Sequence, residues 1–556
     1  MRRTIAAFVF ALVFACTRET PQQPPVNKAP DPNVPRDGGR VVLRLESPVS
    51  SLNYVLHTTE DERQVLSFLY DPLIAFDREL APIPATATRW EVLDDGRTYI
   101  LHLDPRATFS DGQPVRASDV VFTLHKILDE ESMQFGSWFE LLDREQTKAL
   151  DDRTVRVTFK ERRAAQLLAF NIGVLPEHVY GKGDFKKNKA AIGNGPYVLR
   201  QRTSERIVLE RRDNYWREKP RIASVLFRPM ANNAVAWKAL QRGDVDVSRV
   251  DNDVWARVKD DAAITSRLAF HNVFRLGYNC IVWNLTDPIL SDVRVRRALA
   301  MSFDRQTVID KLYHGQARAV TGPFTPDQSA NNPEVQAIEF NPTAAAALLS
   351  SAGWNDSDND GIRDRDGKKF AITILVLTGN DTSRQQAQVL QDALRRIGVQ
   401  LELRLSEEAA FYELVLARNF QAAYLAWINE PDPDPYGLFH SSQIEGGMNV
   451  VSYKSEEADQ LIDEARGELD PARRTDLHHQ LHEVLARDQP YLWTVQVAEK
   501  WAVNKRVQNV AVSNGLGLYH WVPGPRAWWI ADRVARAAAT PGASYSAAAG
   551  ASSSSR

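Results

Sequence analysis

The stretch that decides the fold opens with Phe370-Ala-Ile-Thr-Ile-Leu-Val-Leu377 and closes with Ala422-Ala-Tyr-Leu-Ala-Trp427-Ile-Asn-Glu430-Pro-Asp432-Pro-Asp434-Pro435. The first run is mostly apolar and rich in β-branched residues, the pattern of a strand buried on both faces. Thr378-Gly379 breaks it. From Asp381 to Ile397, Ala387, Leu390, Leu394 and Ile397 recur at helical spacing, and Gly398 stands where a left-handed cap is wanted. Val399, Leu401, Leu403 and Leu405 alternate with polar residues as a half-buried strand does. A second helix fits Glu407–Arg418, and Ala422–Trp427 reads as a third strand. Strand, helix, strand, helix, strand predicts parallel pairing, because each crossover is long enough to return the chain to the same edge. Ligands of such sheets collect outside the carboxyl ends of the strands. Those ends are Thr378-Gly379, Ser406 and the segment from Trp427 to Pro435, which sets an aromatic ring, an amide and three carboxylates in a proline-stiffened loop.

Working outward, 556 residues exceed what one core serves and predict about two to four domains. With 44% apolar and 25% charged residues the composition is that of an ordinary soluble protein, and a formal net charge of −3 gives no basic excess for nucleic acid. No internal stretch is apolar for long enough to span a bilayer. The N-terminus reads as a secretion signal: Met1-Arg-Arg is basic, and Ile5–Phe14 is apolar but too short to span. Its ending, Leu12-Val-Phe-Ala-Cys16, resembles a bacterial lipobox, which implies a signal over residues 1–15 and lipidation of Cys16 through its thiol. Residues 16–37, with six prolines in Thr17–Asp37, cannot pack a core and read as a disordered tether; residues 532–556, rich in Ala, Ser and Gly, read as a disordered tail. With Cys16 acylated, only Cys280 is left, so no internal disulfide is available.

Arg40–Leu45 is strand-like, Ser47–Tyr54 is a loop, and a helix fits Glu60–Tyr70. Trp90–Leu93 and Thr98–Leu103 are strands joined by the turn Asp94-Asp-Gly-Arg97, and Ser118 is placed to cap a helix over Asp119–Leu128. The strings Trp90-Glu-Val-Leu-Asp-Asp-Gly-Arg-Thr-Tyr99 and Phe109-Ser-Asp-Gly-Gln-Pro-Val-Arg-Ala-Ser-Asp-Val-Val-Phe122 closely resemble the signature of family 5 extracellular solute-binding proteins, the peptide-binding components of ABC importers. The resemblance continues through Gly193-Asn-Gly-Pro-Tyr197, Arg212-Asp-Asn-Tyr-Trp216, Leu240-Gln-Arg-Gly-Asp-Val-Asp246, Val293-Arg-Val-Arg-Arg-Ala-Leu299, Asp304-Arg305, Ala352-Gly-Trp354 and Asp470-Pro-Ala-Arg-Arg474. It covers almost all of the span from Gly38 to about Pro525.

The resemblance implies an α/β fold of two lobes, periplasmic-binding-protein-like and of type II, with an extra subdomain at about 58–185 in the first lobe. Residues 38–270 form the first lobe, 271–490 the second, and 491–531 return to the first. It also implies a hinge, a ligand closed between the lobes, and delivery to a membrane permease driven by a separate ATPase. Peptide binders of the family carry an Asp three residues after the tryptophan, where this chain has Glu430. The expected ligand set is Asn53, Tyr54, Tyr278, Asn279, Trp427, Asn429, Glu430 and Asp432. The expected protein is a monomer on the outer face of a bacterial membrane or in the periplasm, held by a lipid anchor, without nucleic acid.

Motifs for catalysis are missing: there is no G-x-S-x-G, H-E-x-x-H, paired C-x-x-C, P-loop or G-x-G-x-x-G, so the expectation is a binding protein rather than an enzyme, with no cofactor and no metal. His478 and His482 have the spacing of two metal ligands, but a solvated helix face explains them. Asp356-Ser-Asp-Asn-Asp-Gly361-Ile-Arg-Asp364 matches the first half of a calcium loop, yet Gly367 stands where the closing Glu belongs, and a polar hairpin is the reading taken. Other cargo in the family, oligosaccharide or a nickel complex, stays open, as do a sensor in place of the permease and a secreted hydrolase.

Overall fold

The computed structural model describes residues 34–93 and 96–531. The leader, Cys16, most of the tether, Asp94-Asp95 and the tail from residue 532 lie outside them.

Two large sheets divide the chain. The first runs in the order Leu268–Phe274, Val495–Asn504, Val247–Arg249, Arg40–Leu45, Ser224–Pro229, Ile207–Arg211, Tyr197–Arg202, with Ala317–Ala319 added beside Val495–Asn504. Arg40–Leu45 is parallel to both Ser224–Pro229 and Val247–Arg249. The helix Asn233–Arg242 makes the crossover and ends at Gly243, whose φ of 74° is the left-handed cap that glycine adopts without cost. A four-stranded antiparallel sheet, Ala87–Val92, Thr98–Leu103, Thr154–Thr158 and Lys148–Ala149, builds the extra subdomain with the helix Ala117–Asp129.

The second sheet is built around residues 371–428. Ala371–Leu377 lies between Gln400–Ser406 and Ala422–Ile428, parallel to both, as the strand–helix pattern predicts. Gly277–Trp283 and Tyr491–Trp493 then extend it antiparallel. Burial follows position: Ile374, Val376, Ala422 and Ala423 are fully enclosed, whereas Leu405, on the edge strand, is 53% exposed.

The chain passes between the sheets at two neighbouring places. Leu268–Phe274 of the first sheet continues through Arg275-Leu276 into Gly277–Trp283 of the second, and Tyr491–Trp493 continues through Thr494 into Val495–Asn504. Thr494 donates through its backbone N–H (3.0 Å) and hydroxyl (2.9 Å) to the Asn279 carbonyl, and Gln496 Nε2 donates to the Arg275 carbonyl at 2.9 Å. Arg305 donates to the carbonyls of Trp493 and Thr494. The two linkers are therefore fastened to each other. The lobes also meet away from them, where helix Glu456–Gly467 packs against the 3-10 segment Ala164–Phe170.

The strings that carry the family resemblance are structural joints. Gly195 passes so close to the end of helix Glu60–Leu69 that a Cβ there would lie 2.7 Å from both the Leu69 oxygen and the Tyr70 nitrogen. Asn194 accepts from the Asp71 N–H (2.9 Å) and Trp216 Nε1 donates to the Asn194 carbonyl (2.9 Å). Arg212 donates to the carbonyls of Thr108, Phe109 and Gly195. Arg296 likewise ties helix Val293–Met301 to the carbonyls of Asp488 and Gln489.

Two local expectations are corrected. Ser118 does not cap the subdomain helix: the helix starts at Ala117 with Arg116 in the cap position, and Asp119 accepts from the Arg116 N–H at 2.7 Å. His478 and His482 do not line a solvated face. They are 4% and 0% exposed, because helix Pro471–Asp488 is rotated so that they share the buried side with Leu481 and Leu485, while Leu477 is only half-buried. His482 is satisfied there by the Asn332 N–H on Nδ1 (3.0 Å) and Thr321 Oγ1 at Nε2 (3.0 Å), and His478 packs beside Phe324.

Candidate functional site

Strand Ala422–Ile428 delivers its carboxyl end to the junction of the two lobes. The loop after it is held by Asn429, whose Nδ2 donates to the Pro323 carbonyl (2.7 Å) and to Gln328 Oε1 (3.0 Å), while Gln328 Nε2 donates to the Glu430 carbonyl (2.9 Å). With its backbone fixed on both sides, the loop presents its three acids differently. Asp434 accepts from Arg466 at 2.9 Å and from the Tyr436 N–H, and Asp432 accepts from Arg474 at 2.7 Å. Glu430 alone has neither an ion pair nor a side-chain hydrogen bond among the described residues.

The Glu430 side chain is exposed to solvent, with Arg63 and Arg275 near enough for their charge to reach it. Desolvation raises its carboxyl above the ordinary glutamate value, and Arg63 and Arg275 pull in the opposite direction. The two cations have different origins: Arg63 comes from helix Glu60–Leu69 of the first lobe, Arg275 from a linker between the lobes. Both face Glu60, whose Oε1 accepts from His520 Nε2 (2.9 Å) and Arg275 (3.3 Å), with Arg63 at 3.6 Å from Oε2. Burial works to raise the Glu60 carboxyl, but His520, Arg63 and Arg275 together hold it well below the usual carboxylate range. Glu60 thus has two guanidinium groups beside it and a hydrogen bond from the His520 imidazole, which burial keeps neutral, whereas Glu430 has no bonded partner.

Beside this cluster the first lobe has a pocket of about 300 Å³, walled by Glu60, Gln64, Arg249, Arg275, Trp501 and Tyr519 among others. On its wall Arg249 Nε is buried without a protein partner, and the Gln64 amide and the Tyr519 hydroxyl face each other without a close hydrogen bond. Gln64 Nε2 and Arg249 Nε are donors, and a hydroxyl can donate. Unmade buried hydrogen bonds are costly, so a wall of idle donors favours a ligand that brings carbonyl or carboxylate oxygens.

The other expected ligand residues are placed as follows. Asn53 is buried with Nδ2 unpartnered and Oδ1 accepting from the Val55 N–H (3.0 Å). Tyr54 stacks on Phe135 at 5.5 Å between ring centroids. Tyr278 and Trp427 are cross-strand partners packed against the core of the second lobe, Tyr278 fully buried and Trp427 half-buried, with the Trp427 indole nitrogen enclosed. Asn279 is half-buried on the opposite face, and its Nδ2 reaches Tyr313 Oη at 3.4 Å. The structure brings Asn429, Glu430 and Asp432 together in one loop. Glu60, Arg63, Gln64, Arg275, Tyr519 and His520 escaped the sequence reading, since polar residues on a helix and in two loops carry no spacing signal.

The acidic loop at Asp356 forms the hairpin Asp364–Arg365 and Lys368–Lys369. Carboxylate oxygens of Asp356, Asp358 and Asp364 lie within 4.8 Å of one another, and the Lys369 ammonium sits 2.6 Å from Asp358 and 2.8 Å from Asp360.

Comparison with known proteins agrees with this architecture. A sequence model described as bacterial extracellular solute-binding proteins, family 5 middle, matches residues 81–449. The oligopeptide-binding protein AppA of Bacillus subtilis is 29% identical over 515 residues, 89% of this chain and 92% of its own length. The nickel-binding periplasmic protein of Escherichia coli is 24% identical over 439 residues, 76% of this chain and 81% of its own. The structure of Bacillus subtilis AppA in complex with a nonapeptide superposes with a TM-score of 0.73 at 26% identity, covering 90% of this chain and all of that one.

Proposed function

The chain belongs to the family 5 bacterial extracellular solute-binding proteins, and from that membership we propose that it captures peptides between its lobes and hands them to an ABC permease driven by a separate ATPase. The observation that carries the reading is the unpaired Glu430 carboxylate, whose neighbour Arg275 also lines the pocket with unpartnered donors. An extended peptide offers an ammonium to the first and backbone carbonyls to the second. The ion pairs of Asp432 and Asp434 leave Glu430 as the partner for the ammonium, and Asn429 and Gln328 hold it in position. Side chains of the ligand can sit among water, which loosens sequence selectivity.

The working protein is a monomer outside the cytoplasmic membrane, and Cys16 anchors it by lipid. No helix among the described residues is long and apolar enough to cross a membrane. The test is mass spectrometry of small molecules released from the purified protein, followed by calorimetry with the peptides found. Release of only a nickel chelate or an oligosaccharide, with no peptide bound, overturns the peptide reading and leaves a solute-binding protein for other cargo.

A further inference from the structure

The strand Gln400–Ser406 is the outer edge of the second sheet, across it from Tyr491–Trp493, which leads into a linker. Its neighbour Ala371–Leu377 takes only half of its backbone groups. The Gln400 N–H donates to the Phe370 carbonyl (3.0 Å), and the Ser406 carbonyl accepts from the Thr378 N–H (2.9 Å), so Gln400, Glu402, Arg404 and Ser406 turn their backbone groups inward. In a parallel pair the residues between them point the other way. The N–H and C=O groups of Leu403 and Leu405 therefore face outward, and no hydrogen bond reaches them among the described residues. The Leu401 carbonyl accepts from Gln391 Nε2 at 2.6 Å.

A bare edge is a template for another strand, and charged side chains commonly guard it. Here the guards are Glu402 and Arg404, both exposed and neither in an ion pair among the described residues. They share one face of the strand with Gln400 and Ser406. The opposite face carries Leu401, buried in one core with Leu390 and Leu394 of helix Asp381–Arg395, then half-buried Leu403 and the exposed Leu405.

The two charges have opposite signs and stand on either side of Leu403. An antiparallel copy of the strand, related by a two-fold axis through Leu403, sets Glu402 of each copy opposite Arg404 of the other. On the other face it sets Leu403 against Leu403 and Leu405 against Leu401. Leu403 then exchanges its idle N–H and C=O with its own counterpart. A slip of one residue sets outward backbone groups against inward ones. A slip of two sets Glu402 against Glu402 or Arg404 against Arg404, and like charges directly opposite are destabilising. Only one register satisfies both faces and the backbone.

We infer that two copies of this chain pair through Gln400–Ser406, antiparallel about Leu403, so that the second sheet continues from one molecule into the next. Each chain keeps its own cleft and remains the unit that binds cargo, because the paired edge lies across the sheet from the strand that enters the linker. The proposed lipid anchor holds copies on one surface and raises the concentration at which they meet. The nature of the cargo has no bearing on the pairing.

The test is sedimentation equilibrium of the purified protein over a range of concentrations, alongside Glu402→Arg, Arg404→Glu and an equal mixture of the two variants. Wild type gains mass with concentration, from one chain toward two. Each reversed variant pairs about tenfold or more weakly, because like charges then face each other at both ends of the contact. The mixture pairs again, since one variant presents two basic residues and the other two acidic ones. Wild type that stays at one chain throughout overturns the inference. So does pairing that survives either reversal, and so does a mixture that fails to pair. Melting curves check that each variant folds. Should one not melt cooperatively, Glu402→Gln and Arg404→Gln are read in their place, each expected to weaken pairing about fivefold through loss of two cross-strand charge pairs; unchanged pairing in both overturns the inference.

Discussion

Arg474 donates to Asp432 Oδ2 over 2.7 Å, and that ion pair withdraws one of the three loop carboxylates from competition for a ligand. Asp434 is withdrawn in the same way by Arg466. The loop therefore offers a single unpaired acid at the cleft.

Glu430→Gln is expected to weaken binding of a free-amine peptide by about 1.5–3 kcal/mol, the range for a hydrogen bond to a charged group. The N-acetylated analogue has no ammonium to lose and is unaffected by the change. Asp432→Asn leaves Arg474 without its partner and lowers the melting temperature more than it alters the difference between the two peptides. Calorimetry on both peptides, with thermal melts of each variant, checks this; equal loss for both peptides in Glu430→Gln counts against the ammonium contact.

Stability is expected to fall on mild acidification. Burial lowers His478 and His482 to about 4, against an ordinary value near 6.5. Between those values the unfolded chain binds more protons than the folded one, so stability is full above about pH 6.5 and is lost as pH falls toward 4, by up to about 1.4 kcal/mol per pH unit for each residue. For His482, burial is reinforced by geometry: its Nδ1 accepts the Asn332 N–H, and a proton there breaks that bond. His478→Leu should flatten the dependence of melting temperature on pH between 7 and 4.5; an unchanged slope rules out His478 as a contributor.

Ligand is expected to compact the protein. Helix Glu456–Gly467 already touches Ala164–Phe170 in this structure, so the form described is one with the lobes together. A ligand that contacts both lobes stabilises this form by its differential affinity, raising the melting temperature and reducing the radius of gyration. Small-angle scattering of the free protein should give a larger radius than that calculated from this structure. A tight ligand that changes neither quantity contradicts closure.

Gly195→Ala is expected to destabilise at the upper end of about 1–3 kcal/mol, because the new methyl meets the backbone of Leu69 and Tyr70 rather than a side chain that can turn away. Gly437→Ala, with nothing within 4 Å of the added carbon, is the control. Urea melts of the two variants measure the difference, and equal midpoints dismiss the close approach as the reason for the glycine.

Cys16→Ala is expected to release the protein from membranes or to block maturation, following from the short apolar leader that ends at Ala15-Cys16. Fractionation of expressing cells decides it. Normal processing with unchanged membrane association excludes Cys16 as the anchor.

The sequence alone determined the strand–helix order of residues 370–435 and its parallel pairing, because hydrophobic period and crossover length are local properties that survive without knowledge of neighbours. It also placed Gly398 at a helix end, where the φ of 75° requires a residue without a Cβ penalty. Tertiary structure decided which polar residues matter. Asp432 and Glu430 look alike in the loop and differ only because Arg474, more than forty positions on, reaches one and not the other. His478 and His482 read as a solvated face until the packing of Phe324 and Asn332 turned that side of the helix inward. Glu60, Arg63, Arg275 and His520 meet at the cleft from a helix, a linker and a segment hundreds of residues away. Ion pairs and idle donors depend on distance in space, and only the folded chain sets those distances.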